Sequence, residues 1–131
     1  VQNGFSVSWL TADDLLFRLR RDEENSARRN HRRKYLSSGV LVIDELGFQS
    51  LDRMGAHLLF KVVSARYERS STIITSNKSI REWPDMLAGD EVLATAILDR
   101  LLHHCHVVHV DGSSYRLWEM ERRTRPAGKE G

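Results

Sequence analysis

Two consecutive carboxylates, Asp44 and Glu45, stand at the end of the apolar run Val40-Leu41-Val42-Ile43. A strand that delivers two acids to its tip suits Mg²⁺-dependent nucleotide hydrolysis. The first acid holds the hydrated cation and the second polarises the attacking water. A second apolar run, Ser71-Thr72-Ile73-Ile74-Thr75, ends in Ser76-Asn77, and an asparagine at a neighbouring strand tip can orient that water. In open α/β sheets ligands sit beyond the carboxyl ends of the strands, where these polar residues fall. The pattern of aliphatics followed by Asp-Glu is weak on its own, because the same acids can simply end a strand and cap the next turn.

Other groups were weighed for chemistry. Cys105 is the only cysteine, which excludes an internal disulfide and fits a reducing compartment. It lies among His103, His104, His106 and His109, but neighbours entering a strand point to opposite faces and cannot converge on one ion. No CxxC or HExxH spacing supports a metal there. From Arg18 to Lys34 there are eight Lys/Arg against three Asp/Glu, although the whole chain carries only +2. The bland reading of that stretch is a solvated helix face. The sharper one is contact with DNA phosphates through Arg28, Arg29, Arg32, Arg33 and Lys34, which would be nonspecific and salt-sensitive. Trp9, Trp83 and Trp118 are scattered, so they read as core or loop residues rather than a stacking platform.

The elements that must position these groups follow from the hydrophobic pattern. The 131 residues fit one domain, 40% hydrophobic and 29% charged, with no apolar run near the ~20 residues of a membrane span. With no secretory apolar segment either, the expected location is cytoplasmic. Gly4 reads as a helix C-cap, and residues 5–10 suit a strand. Thr11 caps a helix with Leu15, Leu16 and Leu19 on its apolar side. The unbroken aliphatics at 40–43 imply a strand buried on both faces of a parallel sheet. Asp52 opens a helix reaching about Arg69, and a further helix spans Glu91 to His103. Short strands are expected at 106–110 and 115–118, around an Asp111-Gly112 turn. Strands alternating with helices make this an α/β three-layer domain with a mostly parallel sheet.

Four segments then become informative together: Leu41-Val42-Ile43-Asp44-Glu45-Leu46-Gly47, Ser71 to Asn77, Ala94 to His104, and Gly112-Ser113-Ser114-Tyr115-Arg116-Leu117. In this order and spacing the chain resembles the IstB-like family, AAA+ P-loop ATPases that help transposition and are related to DnaC-type helicase loaders. The resemblance runs from about Gly4 to Leu117. It implies that Asp44 and Glu45 are Walker B acids and Asn77 the sensor-1 residue. It further implies that Arg100 is an arginine finger offered to the ATP of a neighbouring subunit, and Arg116 a sensor-2 arginine near the γ-phosphate. ATP and Mg²⁺ are the implied cofactors. The implied partners are duplex DNA, a transposase or replicative helicase, and further copies of the protein.

One departure matters. The family carries a GxxxxGK[ST] loop that cradles phosphates, and no Gly-Lys-Ser/Thr triplet occurs in these 131 residues. The expectation is a partial ATPase core over 1–121, lacking the first strand and the P-loop, followed by a basic, disordered tail over 122–131. The family places that first strand between the ones at 72–75 and 106–110. Two functions stay open: an ATPase module for transposition or helicase loading, or a non-enzymatic remnant that only binds a partner or DNA.

Overall fold

The computed structural model describes residues 4–25, 36–111 and 115–124. Three parallel strands, β1 (Val7–Thr11), β2 (Val40–Leu46) and β3 (Ser71–Ser76), lie in the order β1-β2-β3. Their register pairs Trp9 with Val42 and Val42 with Ile73. The helices are α1 (Ala12–Glu24), α2 (Arg53–Arg66), a short α3 (Trp83–Met86), α4 (Glu91–His103) and α5 (Tyr115–Thr124). The buried strand was expected at 40–43, and β2 sits at the centre of the sheet.

Each long helix of the core begins on a side-chain cap, which satisfies amide groups that have no partner inside the helix. Thr11 accepts from the Asp14 amide at 3.1 Å, Asp52 from Gly55 at 2.8 Å and Asp90 from Leu93 at 2.9 Å. Leu15, Leu16 and Leu19 of α1, Leu58, Leu59, Val62 and Val63 of α2, and Leu93, Ala94 and Ile97 of α4 form one core with Leu10, Leu41, Ile43 and Leu46 of the sheet.

Alternation along the strands sends Leu10, Leu41 and Ile43 into that core. The opposite face carries Trp9 and Ile73, which are 67% and 51% exposed. Among the described residues, helices pack on the Leu41 and Ile43 face of the sheet, in the α/β architecture expected. Trp83 is buried as expected of a core residue, whereas Trp9 stands in the open on a strand.

Asp52 does double duty. Besides capping α2, it accepts from the Arg20 guanidinium of α1, and this bond, followed by that from Gly55, holds its carboxyl below the usual value of 3.8. A depressed carboxyl stabilises the fold above its unfolded pKa, and that contribution disappears as pH falls through the folded value. Asp52→Asn is therefore expected to lower the melting temperature at neutral pH, with the difference closing in acid below 3.8. Thermal melts followed by circular dichroism across that range check it; a gap that persists in acid would count against the charge.

Two strand assignments are corrected. Residues 106–110 form no strand, and Val107, Val108 and Val110 are exposed; the described strands pair only with one another. Residues 115–118 are the first part of α5, not a strand, and Arg122 to Thr124, assigned to the tail, complete that helix. An i,i+4 pair supports it, with Arg123 Nη2 donating to Glu119 Oε1 at 2.9 Å. Residues 125–131, the remainder of the assigned tail, lie outside the described residues. Helix α1 ends at Glu24, and residues 26–35, which hold the rest of the basic stretch, lie outside the described residues.

Candidate functional site

The tips of β2 and β3 meet through a small network. The Thr75 hydroxyl donates to Asp44 Oδ1, and the Glu45 amide donates to Thr75 Oγ1 at 2.9 Å and to Asp44 Oδ1 at 3.1 Å. The cause is an irregularity in the ladder. Ile43 pairs with Ile74 but Leu46 pairs with Ser76, so β2 carries one residue more than β3 over the interval. A bulge of this kind re-aims side chains. Here it places Glu45 at φ 59 with its side chain exposed, while Asp44 stays beside Thr75. A non-glycine residue at positive φ is costly, and such strain clusters where function requires it.

The chain leaves β2 through Gly47, at φ +93. A Cβ there would lie 2.6 Å from Met86 Sδ, 2.8 Å from Lys78 Cγ and 3.4 Å from Asn77 Oδ1. Asn77 is thus seated against the turn that follows the two acids. Ser76 Oγ donates to the Leu46 carbonyl at 2.6 Å, locking the two tips together. The structure brings Asp44, Glu45 and Asn77 to one end of the sheet. Their oxygens form a hard donor set of the kind that suits Mg²⁺ rather than a softer metal.

Arg100 is placed elsewhere. It lies on α4, where Nη1 donates to the Ala96 carbonyl at 3.0 Å and the guanidinium stacks over the Phe60 ring of α2, 4.9 Å from its centroid. Its contacts are with its own helix and with α2. Arg116 lies on the first turn of α5, where a strand had been expected. Arg28, Arg29, Arg32, Arg33 and Lys34 are outside the described residues.

Sequence reasoning missed Thr75 and Gly47 as site-forming residues. The available signal was the hydroxyl two positions before Asn77, on the strand neighbouring Asp44.

A family model described as IstB-like ATP binding protein matches residues 1–123. The chain belongs to the IstB-like family. Within it, an insertion sequence IS5376 putative ATP-binding protein of Geobacillus stearothermophilus is 44% identical over 119 residues, which are 91% of this chain and 47% of the relative. The IS21 putative ATP-binding protein of Pseudomonas aeruginosa is 38% identical over 122 residues, 93% of this chain and 46% of the relative. The chain therefore spans about half the length of these IstB-like relatives. The crystal structure of the DnaC helicase loader superposes with a TM-score of 0.57 at 24% identity, covering 76% of this chain and 60% of that one. At that identity the match shows the fold alone, an α/β domain with a parallel sheet. Among the described residues no helix is long and apolar enough to cross a membrane.

Proposed function

We propose that this chain supplies the strand-tip half of the ATP-hydrolysing site of an insertion-sequence helper ATPase acting on DNA in the cytoplasm. The observation that carries the reading is the Asp44–Thr75–Glu45 network, which fixes one carboxylate and projects the next from a bulge. In this reading Asp44 holds Mg²⁺, Glu45 polarises the attacking water, and Asn77 orients it. Arg116 reaches the γ-phosphate region. Arg100 leaves Phe60 to act on ATP bound by a neighbouring subunit, where an arginine finger is worth about 10³ to 10⁵ in rate. The basic residues Arg28, Arg29, Arg32, Arg33 and Lys34 contact duplex DNA through its phosphates, and a transposase or replicative helicase is the protein partner.

The experiment uses the protein in which this segment is joined to a GxxxxGK[ST] loop. Glu45→Gln is expected to abolish hydrolysis while sparing ATP binding; unchanged turnover removes Glu45 from the water-activating role. Glu45→Gly should also abolish hydrolysis, yet raise stability by about 1 kcal/mol, because glycine accepts positive φ without strain. Equilibrium unfolding of the two variants separates the chemical role of the residue from its conformational cost.

A second reading, a non-enzymatic module that binds DNA or a partner, is favoured for the 131 residues alone by their lack of a Gly-Lys-Ser/Thr triplet. Calorimetric titration of this chain with ATP is expected to show very weak binding. Low-micromolar affinity would reject that second reading.

A further inference from the structure

We propose that Glu68, His103 and His104 form a surface site for a divalent transition metal, zinc in the first instance. The site lies where two packed helices end. Helix α2 stops at Arg66 and α4 at His103, and the chain leaves α2 through Tyr67 and Glu68. Glu68 is held at φ 56, in the left-handed region, which turns its carboxylate back toward the end of α4. Oε1 then lies 3.7 Å from His103 Nδ1 and 3.5 Å from His104 Nε2, and all three ligand atoms fall within 4.8 Å of one another.

Those spacings are close to what a metal requires. Tetrahedral zinc with bonds of about 2.0–2.1 Å separates its donors by roughly 3.3–3.4 Å. Two of the three edges need to close by only a few tenths of an ångström. The two imidazole rings are stacked, with centroids 4.1 Å apart, so that neighbouring residues point the same way. This reverses the expectation from sequence, which assumed a strand, where neighbours diverge. At a helix end they do not.

The donor set and its setting point to the same class of ligand. Two imidazole nitrogens and one carboxylate oxygen favour zinc and its borderline neighbours over Mg²⁺ or Ca²⁺. The C-terminal ends of α2 and α4 both direct partial negative charge toward the site, which favours a cation. The three side chains are 52–72% exposed, leaving room for water to complete the coordination. Tyr67 is the competitor: its hydroxyl bonds to His103 Nδ1, the nitrogen the metal would use. The ion displaces this hydroxyl from the nitrogen. Cys105, the next residue in the chain, is not one of the three ligands.

The test uses the full chain, freed of metal by a chelator and titrated with Co²⁺ as a visible probe, then with Zn²⁺ in competition. Saturable Co²⁺ bands that Zn²⁺ displaces are expected. Glu68→Gln and His104→Ala should each weaken binding by about ten-fold or more. Tyr67→Phe should tighten it, and Cys105→Ser should leave it unchanged. Because the ligand side chains are exposed, the metal-free melting temperatures of Glu68→Gln and His104→Ala should match the parent, and Zn²⁺ should raise that of the parent alone. Absence of saturable binding overturns the proposal. So does affinity indifferent to Glu68→Gln and His104→Ala, or affinity lost in Cys105→Ser.

Discussion

Arg66→Met is expected to cost about 3–5 kcal/mol, a large share of the roughly 5–15 kcal/mol that holds a domain together. Arg66 is 2% exposed, at the last turn of α2. Its guanidinium donates to the carbonyls of Leu36 at 2.7 Å, Ser38 at 3.0 Å and Ser71 at 2.6 Å, and to Thr72 Oγ1 at 2.9 Å. None of these acceptors is a carboxylate. Among the described residues the charge is met by fixed dipoles, and burial lowers its pKa from the ordinary arginine value. These bonds gather the segment before β2, the start of β3 and the end of α2 at one point. Methionine fills comparable volume but leaves the carbonyls dry and unpaired, at about 1–3 kcal/mol each before relaxation. Arg66→Lys should rescue little, because a single ammonium cannot match a planar fork that serves four acceptors. Urea unfolding monitored by circular dichroism measures the loss, and a value below about 1 kcal/mol would show that water replaces the lost donors.

Gly47→Ala should cost about 2–5 kcal/mol and, in a protein with the complete ATP site, most of the hydrolysis. The stability loss has two parts. A side chain at φ +93 is strained by about 1–2 kcal/mol, and the added methyl meets Met86 and Lys78 at distances real Cβ atoms do not tolerate, an overpacking cost of about 1–3 kcal/mol. The functional loss arises because the methyl displaces Lys78, the next residue after Asn77, while Asn77 Oδ1 lies 3.4 Å from the same spot. Gly89 is the internal control, at φ +69 with nothing within 4 Å of its missing Cβ. Gly89→Ala should cost only the conformational part, about 1 kcal/mol. Equal losses at the two glycines would refute the steric account.

Much of this fold was legible because local signals agreed. The aliphatic run at 40–43 announced the central strand, Thr11 and Asp52 announced their helices, and Glu91 to His103 was bounded correctly at both ends. The failures share a cause. Val107, Val108 and Val110 favour a strand only when another strand lies alongside, and β-propensity carries little information without that partner. Residues 115–118 were drawn into the same hairpin expectation, although Glu119 and Arg123 supply local helical support. At the site, Asp44, Glu45 and Asn77 were readable as polar ends of apolar runs. Thr75 and Gly47 were not, because their roles depend on the register between strands some thirty residues apart and on the bulge at Glu45. The pairing of His103 with Glu68 was hidden for a related reason: it is set by how α2 packs on α4.

The open sheet face has a spectroscopic consequence. Trp9 sits on it in contact with water, whereas Trp83 is enclosed by the core. In a Trp118→Phe variant, fluorescence therefore divides into a red-shifted component that quenchers reach readily and a blue-shifted one that they do not. Whatever comes to lie over Trp9 and Ile73 will change the first component and leave the second alone, so that variant carries its own optical gauge of when those residues are covered.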